Sequence, residues 1–227
     1  MIRELKNSGR YNITVLLALM SIFCFFLSLT RVFFSETNMF LFLNWNLFLA
    51  FIPWASATII SLNRNYRKNK IALIILLFAW LIFFPNSPYI LTDLFHLRAR
   101  GAVPIWFDLV IILSFAWTGL TFGFLSLVDI EGLLSKYVNP KIVTIVTIAF
   151  LFIGSFGIYI GRYLRWNSWD ILKDPFSIMA ELGDRFINPL SHPRTWGLTI
   201  LMGVLLNMMF WTFKFFTSNK TITTSNN

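Results

Sequence analysis

Asp93 and His96 stand three residues apart in the stretch FPNSPYILTDLFHL, residues 84–97, and Tyr89 precedes Asp93 by four. On a helix these spacings put all three side chains on one face. A carboxylate beside an imidazole is a unit for proton transfer, because the acid orients the ring and decides which nitrogen carries the proton. The same residue types also ligate metals, but two ligands do not make a metal site, which uses three or four. Asp108 is the acid that follows along the chain, and with Asp93 and His96 it completes the set of candidate catalytic groups. Plainer readings stand beside these: Asp93 and His96 hydrate an interfacial turn, and Asp108 complements the positive end of a helix that Pro104 opens.

Other groups suit an anion. Arg162 and Arg165 are three apart in GRYLRWNSWD, residues 161–170, a spacing that allows two guanidinium forks to grip a phosphate or an anionic lipid headgroup. Cations snorkelling from a helix end give the same pattern. Asn44, Asn46, Asn86, Tyr89, Asn167 and Asp170 are supporting polar groups. An amide inside an apolar segment usually bonds a neighbouring helix, which is the packing reading of Asn44 and Asn46.

Several chemistries are excluded by motif. The sequence carries no nucleophile elbow, phosphate-binding P-loop, H-E-x-x-H pair or C-x-x-C-H haem attachment. Its one cysteine, Cys24, lies in an apolar run and permits no intramolecular disulfide. With two histidines, His96 and His192, bis-histidine haem ligation would need both on facing helices. No metal is expected, and no cofactor is readable.

Lipid is the solvent that these groups must be placed against. The 227 residues are 57% hydrophobic and 13% charged, with mean hydropathy +0.69, against about 25% charged in soluble domains. A net charge of +9 would suit nucleic acid, but the cations are scattered between apolar runs, as anionic lipid and the positive-inside rule require. The fold expected is all-α: a polytopic membrane protein of about six transmembrane helices, near 11–33, 39–62, 71–85, 106–128, 142–163 and 195–216. The third is short and continues through 87–97 as a kinked or broken helix, since Pro85 and Pro88 each remove a backbone donor. The segment PFSIMAELGDRFI, residues 175–187, reads as an interfacial amphipathic helix, with Phe176, Met179 and Phe186 toward lipid and Glu181, Asp184 and Arg185 toward water. Residues 1–216 form one transmembrane domain, and 217–227 a polar, disordered tail. The first apolar run is too long for a cleaved signal peptide, so it is read as a retained span.

Six crossings bring the unusual polar clusters to one membrane face: the start of the second helix, the end of the third, the start of the fourth and the end of the fifth. The basic clusters Arg3, Lys6, Arg10 and Arg64, Arg67, Lys68, Lys70 sit at the opposite face and place the N-terminus in the cytoplasm. The motifs NSPYILTD and NSWDILKD, at residues 86–93 and 167–174, share Asn, Ser, Ile, Leu and Asp. The echo reads as two helix exits of one kind, and it arises by duplication, by shared capping chemistry or by chance.

FPNSPYILTDLFHL, WFDLVIILSFAWTGLTFGFLSL and GIYIGRYLRWNSWDIL, in that order, resemble the bacterial multi-pass membrane family catalogued as domain of unknown function 1361, over residues of about 44–172. The resemblance implies a bacterial integral membrane protein and no particular chemistry; a six-helix protein of the bacterial cytoplasmic membrane is the reading expected here. Three functions remain open: binding or transport of a small solute or lipid, interfacial catalysis on a lipid-linked or phosphate-bearing substrate, and a structural or assembly subunit. The expected partners are the lipid bilayer and an anionic headgroup; nucleic acid is not expected, and the oligomeric state is not readable.

Overall fold

A computed structural model describes residues 2–98, 103–166, 168 and 170–223. Those residues contain helices and turns, and six helices among them are long and apolar enough to cross a membrane. Helices satisfy every internal backbone group within one segment, so they suit hydrocarbon. Side chains along them point outward in numbers no aqueous surface tolerates: Ile71 is 72% exposed, Leu201 72% and Ile145 66%. This is a multi-pass membrane protein.

The spans are built on α1 (Tyr11–Ser35), α2 (Phe42–Leu62), α3 (Lys70–Phe83, which opens a span that runs on to His96), α4 (Ile105–Leu134), α5 (Pro140–Tyr159, in a span that runs on to Leu164) and α7 (Pro193–Thr223), with α6 (Pro175–Ile187) between the last two. The chain forms two compact units, 1–137 with α1 to α4 and 138–227 with α5 to α7.

In the first unit α2 and α4 are central. Leu43, Ala50, Ile111 and Phe115 pack between them, each fully buried. The third span breaks where the prolines require. α3 ends at Phe83, a short helix runs Asn86–Tyr89, and a 3-10 segment covers Ile90–His96. The broken end stays close to α4 because Gly119 and Gly123, four apart, leave a groove there. A Cβ on Gly119 would lie 2.8 Å from Ile90 Cδ1, and one on Gly123 2.7 Å from Ser87 Cβ. Small residues at this spacing let backbones approach. The Ser87 hydroxyl then donates to the Ala50 carbonyl of α2 at 3.3 Å, and the Trp80 indole donates to Ser126 Oγ at 3.0 Å.

In the second unit α5 and α7 pack together, and Gly203 sits against the Phe152 ring. α6 lies on an aromatic cluster, with Phe186 5.5 Å from Phe156 and 5.2 Å from Trp196 between ring centroids. Phe176, Met179 and Phe186 are exposed as expected, but Arg185 is buried. Its guanidinium lies 5.8 Å from the Tyr159 ring and pairs with Glu181 at 3.3 Å, so stacking and an ion pair replace water around it. α7 remains helical to Thr223; the end of the expected tail, 224–227, lies outside the described residues.

Candidate functional site

The polar groups of the first unit gather where α1 ends, α2 starts, α3 breaks and α4 starts. Arg31, in the last turns of α1, faces Asp108 in the first turn of α4. Its Nε donates to Asp108 Oδ1 at 2.6 Å and Nη2 to Oδ2 at 3.4 Å, with side chains 3% and 2% exposed. Nη1 donates to Thr37 Oγ1 at 3.3 Å, and the guanidinium stands 5.8 Å from the Phe40 ring. Phe40 is fully buried and adopts φ +68°, a left-handed conformation unfavourable for a bulky residue. It tightens the turn that carries α1 into α2 beside the ion pair.

A second strand of the network runs through α2. Asn44 donates to Ser28 Oγ of α1 at 2.9 Å. Asn46, on another face of α2, donates to Asp93 Oδ2 at 3.1 Å. Asp93 is 1% exposed, and its Oδ1 lies 3.6 Å from His96 Nδ1. The His96 side chain is 44% exposed, and its ring meets Phe42 edge-on at 5.5 Å. The 3-10 geometry changes the stripe read from sequence. Positions three apart eclipse in such a helix, so Asp93 and His96 align with Ile90 instead of Tyr89. Tyr89 accepts from Thr92 through its carbonyl, and the Asn86 amide caps the Phe83 carbonyl at 3.0 Å.

Asp108 is therefore held by Arg31. Among the described residues no three His, Cys, Asp or Glu side chains come close enough to hold a metal ion. What the cluster offers is a buried carboxylate behind a half-exposed imidazole, beside a neutralised ion pair.

The second unit is described by itself. Arg162 lies in a π-turn, Ile160–Leu164, and Arg165 closes it in a left-handed conformation at φ +61°. The wider turn and the reversal remove the shared helix face that their spacing suggested. Asp170 lies 3.9 Å from Lys173; Asn167 lies outside the described residues. Past α6, His192 Nε2 meets Asp184 Oδ2 at 2.7 Å. Hydrogen bonds from Asn188, and then from His192, hold the Asp184 carboxyl below its usual range.

Sequence reading gave Arg31 no role. The signal was present, since Arg31 is the one ionisable group between Tyr11 and Ser35 apart from the ends and Cys24, and a charge in a span calls for a partner. A groove of about 430 Å³ was also not legible. It opens between α1, α2 and α4, with Thr14 and Ala18 on one wall, Phe51 and Trp54 on the other, Phe122 at its base and Asn44 toward the polar end.

The profile of a family described as Protein of unknown function (DUF1361) matches residues 45–209. The chain belongs to that family. The DUF1361 match takes in Asn46, Asp93, His96 and Asp108 and begins after Arg31, so the buried ion pair joins a matched residue to one outside the match. No curated protein and no solved structure matches the chain.

Proposed function

We propose that this protein binds an amphiphilic lipid, with an acyl chain in the groove between α1, α2 and α4 and its polar part toward the end that carries Asn44, Asp93 and His96. The groove carries the reading. From Asn44 to Trp54 it follows α2 for ten residues, about 15 Å at 1.5 Å per residue, roughly half the thickness of a hydrocarbon core. Its walls include Phe51 and Phe48, exposed at 38% and 51% on the lipid-facing surface. A bilayer chain enters such a groove without crossing water. Lipid tails are as apolar as these walls, so affinity comes from close packing and from the polar end.

The membrane proposed is a bacterial cytoplasmic membrane, with the N-terminus inside. The basic clusters around Arg10 and around Arg67 support that orientation. A second reading, interfacial catalysis on a lipid-linked or phosphate-bearing substrate, is favoured by one observation: His96 presents its ring at the surface with Asp93 behind it. The pair fits a proton acceptor beside an acid, whose Oδ1 lies 3.6 Å from the ring nitrogen, just beyond hydrogen-bond distance.

The test is lipid retention. The protein purified from membranes into nanodiscs is analysed by native mass spectrometry beside Ala18→Phe, which fills the groove. Retained lipid falls in the variant while yield and melting temperature stay level. Equal retention by the two proteins rejects the groove as a lipid site and leaves the structural role.

A further inference from the structure

At the opposite end of the first unit, the N-terminal side, a small pocket of about 150 Å³ opens between α2, α4 and the short helix Arg64–Lys68. Its walls hold Ser61, Arg67, Asp129, Gly132 and Lys136. Arg10, just before α1, forms an ion pair with Asp129 from beside the pocket. Arg10 Nη1 is buried without a hydrogen-bond partner. Two cations, Arg67 and Lys136, thus line the pocket with one carboxylate, and Arg10 already engages that carboxylate.

We propose that this pocket binds a phosphate group, either on an anionic lipid or free in solution. Size permits it: 150 Å³ is about ten times the ~15 Å³ of cavity that one water molecule needs, which accommodates a tetrahedral oxyanion. Charge favours it, because Arg67 and Lys136 bring two positive charges that Asp129, paired with Arg10, does not neutralise. Arg67 supplies a planar fork and Lys136 a point charge, the two kinds of donor suited to phosphate oxygens. Ser61 adds a hydroxyl, and Gly132 keeps the α4 wall low, since a Cβ there would meet nothing within 4 Å. The proposal stands independently of the groove, which lies further along α2 and α4.

The test uses the full chain in detergent and in nanodiscs. One arm measures inorganic phosphate binding by calorimetry. The other measures melting temperature in phosphatidylcholine nanodiscs with and without phosphatidic acid. The double variant Arg67→Gln/Lys136→Gln removes the two lining cations, and Lys68→Gln, a neighbouring cation outside the pocket, is the control. Binding or stabilisation in the first arm identifies a free-phosphate site, and in the second arm alone a headgroup site; either supports the proposal when the double variant weakens it by about tenfold or more, the loss of one or two charge-assisted contacts, and Lys68→Gln changes it less than about twofold. Absence of an effect in both arms overturns the proposal, and so does an equal loss in Lys68→Gln, which would mean only a diffuse positive surface.

Discussion

Arg31 Nε meets Asp108 Oδ1 at 2.6 Å across 77 residues of chain, and both side chains are almost wholly buried. The pair ties the end of α1 to the start of α4. Removing one partner leaves an uncompensated charge in a low-dielectric place, at a cost of about 3–5 kcal/mol. Arg31→Met and Asp108→Leu each therefore unfold early in detergent and accumulate poorly. The double variant recovers most of the loss, because a well-packed apolar pair replaces the ions at little net cost. Denaturant unfolding of the three variants decides it, and additive losses in the double variant would show that the two groups do not act as a pair.

Gly123 and Ser87 fix how closely the broken third span approaches α4. Valine at position 123 forces its side chain into Ser87 Cβ, which lies 2.7 Å from the Cβ position itself. The expected loss is about 1–3 kcal/mol, the usual range for overpacking. Gly197→Ala in α7 is the comparison, since a Cβ there meets nothing within 4 Å, and it leaves the melting temperature level or slightly raised. If Gly123→Val melts with the wild type, the close approach is not what holds the exit segment.

The spans were legible because hydropathy over a helical length is a local property, and so was the break after Phe83, where two prolines each delete a donor. Amides inside an apolar span call for partners on other elements, and Asn44 and Asn46 find them, Ser28 of α1 and Asp93 of the exit segment. The partner of Asp108 was not legible. Its capping position explained it locally, and only folding shows that Arg31 is brought across from α1. α-Helical spacing puts Tyr89, Asp93 and His96 in one stripe, whereas the crowded turn after Pro88 winds as a 3-10 helix and puts Ile90 in line. Charge alone sends Arg185 to water; the Tyr159 ring that covers it comes from a different helix. Two of these, the Arg31 partner of Asp108 and the Tyr159 ring over Arg185, depend on contacts between separate helices, whereas the stripe turns on local winding after Pro88.

Asp93 and His96 are separable by experiment because their environments differ. Asp93 is buried and accepts the Asn46 amide, so Asp93→Ala leaves that donor without its acceptor and lowers abundance, by about 1–3 kcal/mol of stability. His96 is half-exposed, and its Nδ1 has no hydrogen-bond partner. His96→Ala keeps wild-type abundance and melting temperature, and a cellular phenotype at that level assigns His96 a functional role. A His96→Ala protein that fails to accumulate would make the ring a packing element against Phe42 instead.

Asp184 offers a pH dependence outside the spans. Hydrogen bonds from Asn188 and His192 lower its folded pKa, and an unfolded aspartate titrates near about 3.9. The sign follows from linkage: the stabilisation is complete above that value and disappears as pH falls through the lower folded midpoint. Carbon-detected titration of Asp184 should give a midpoint under about 3.9, and Asn188→Ala should move it upward. A midpoint at the ordinary value in the wild type would show that these hydrogen bonds do not persist in solution.

The site at one face of the first unit requires that α3 and α4 form a hairpin whose connected end, between His96 and Ile105, lies on that face. Single cysteines test this in a Cys24→Ala background, since Cys24 itself is fully buried. Phe95→Cys and Trp106→Cys replace residues 57% and 62% exposed on either side of the hairpin's connection, and Tyr137→Cys replaces one 75% exposed beyond the far end of α4. In intact spheroplasts an impermeant maleimide labels positions 95 and 106 alike. Position 137 reacts only after permeabilisation, which also gives the orientation that the basic clusters favour. Labelling of 95 and 106 from opposite sides would separate Asp93 from Asp108 by the whole membrane. The hydrogen bonds that join Arg31, Asp108, Asn46 and Asp93 into one end of the bundle could not then coexist.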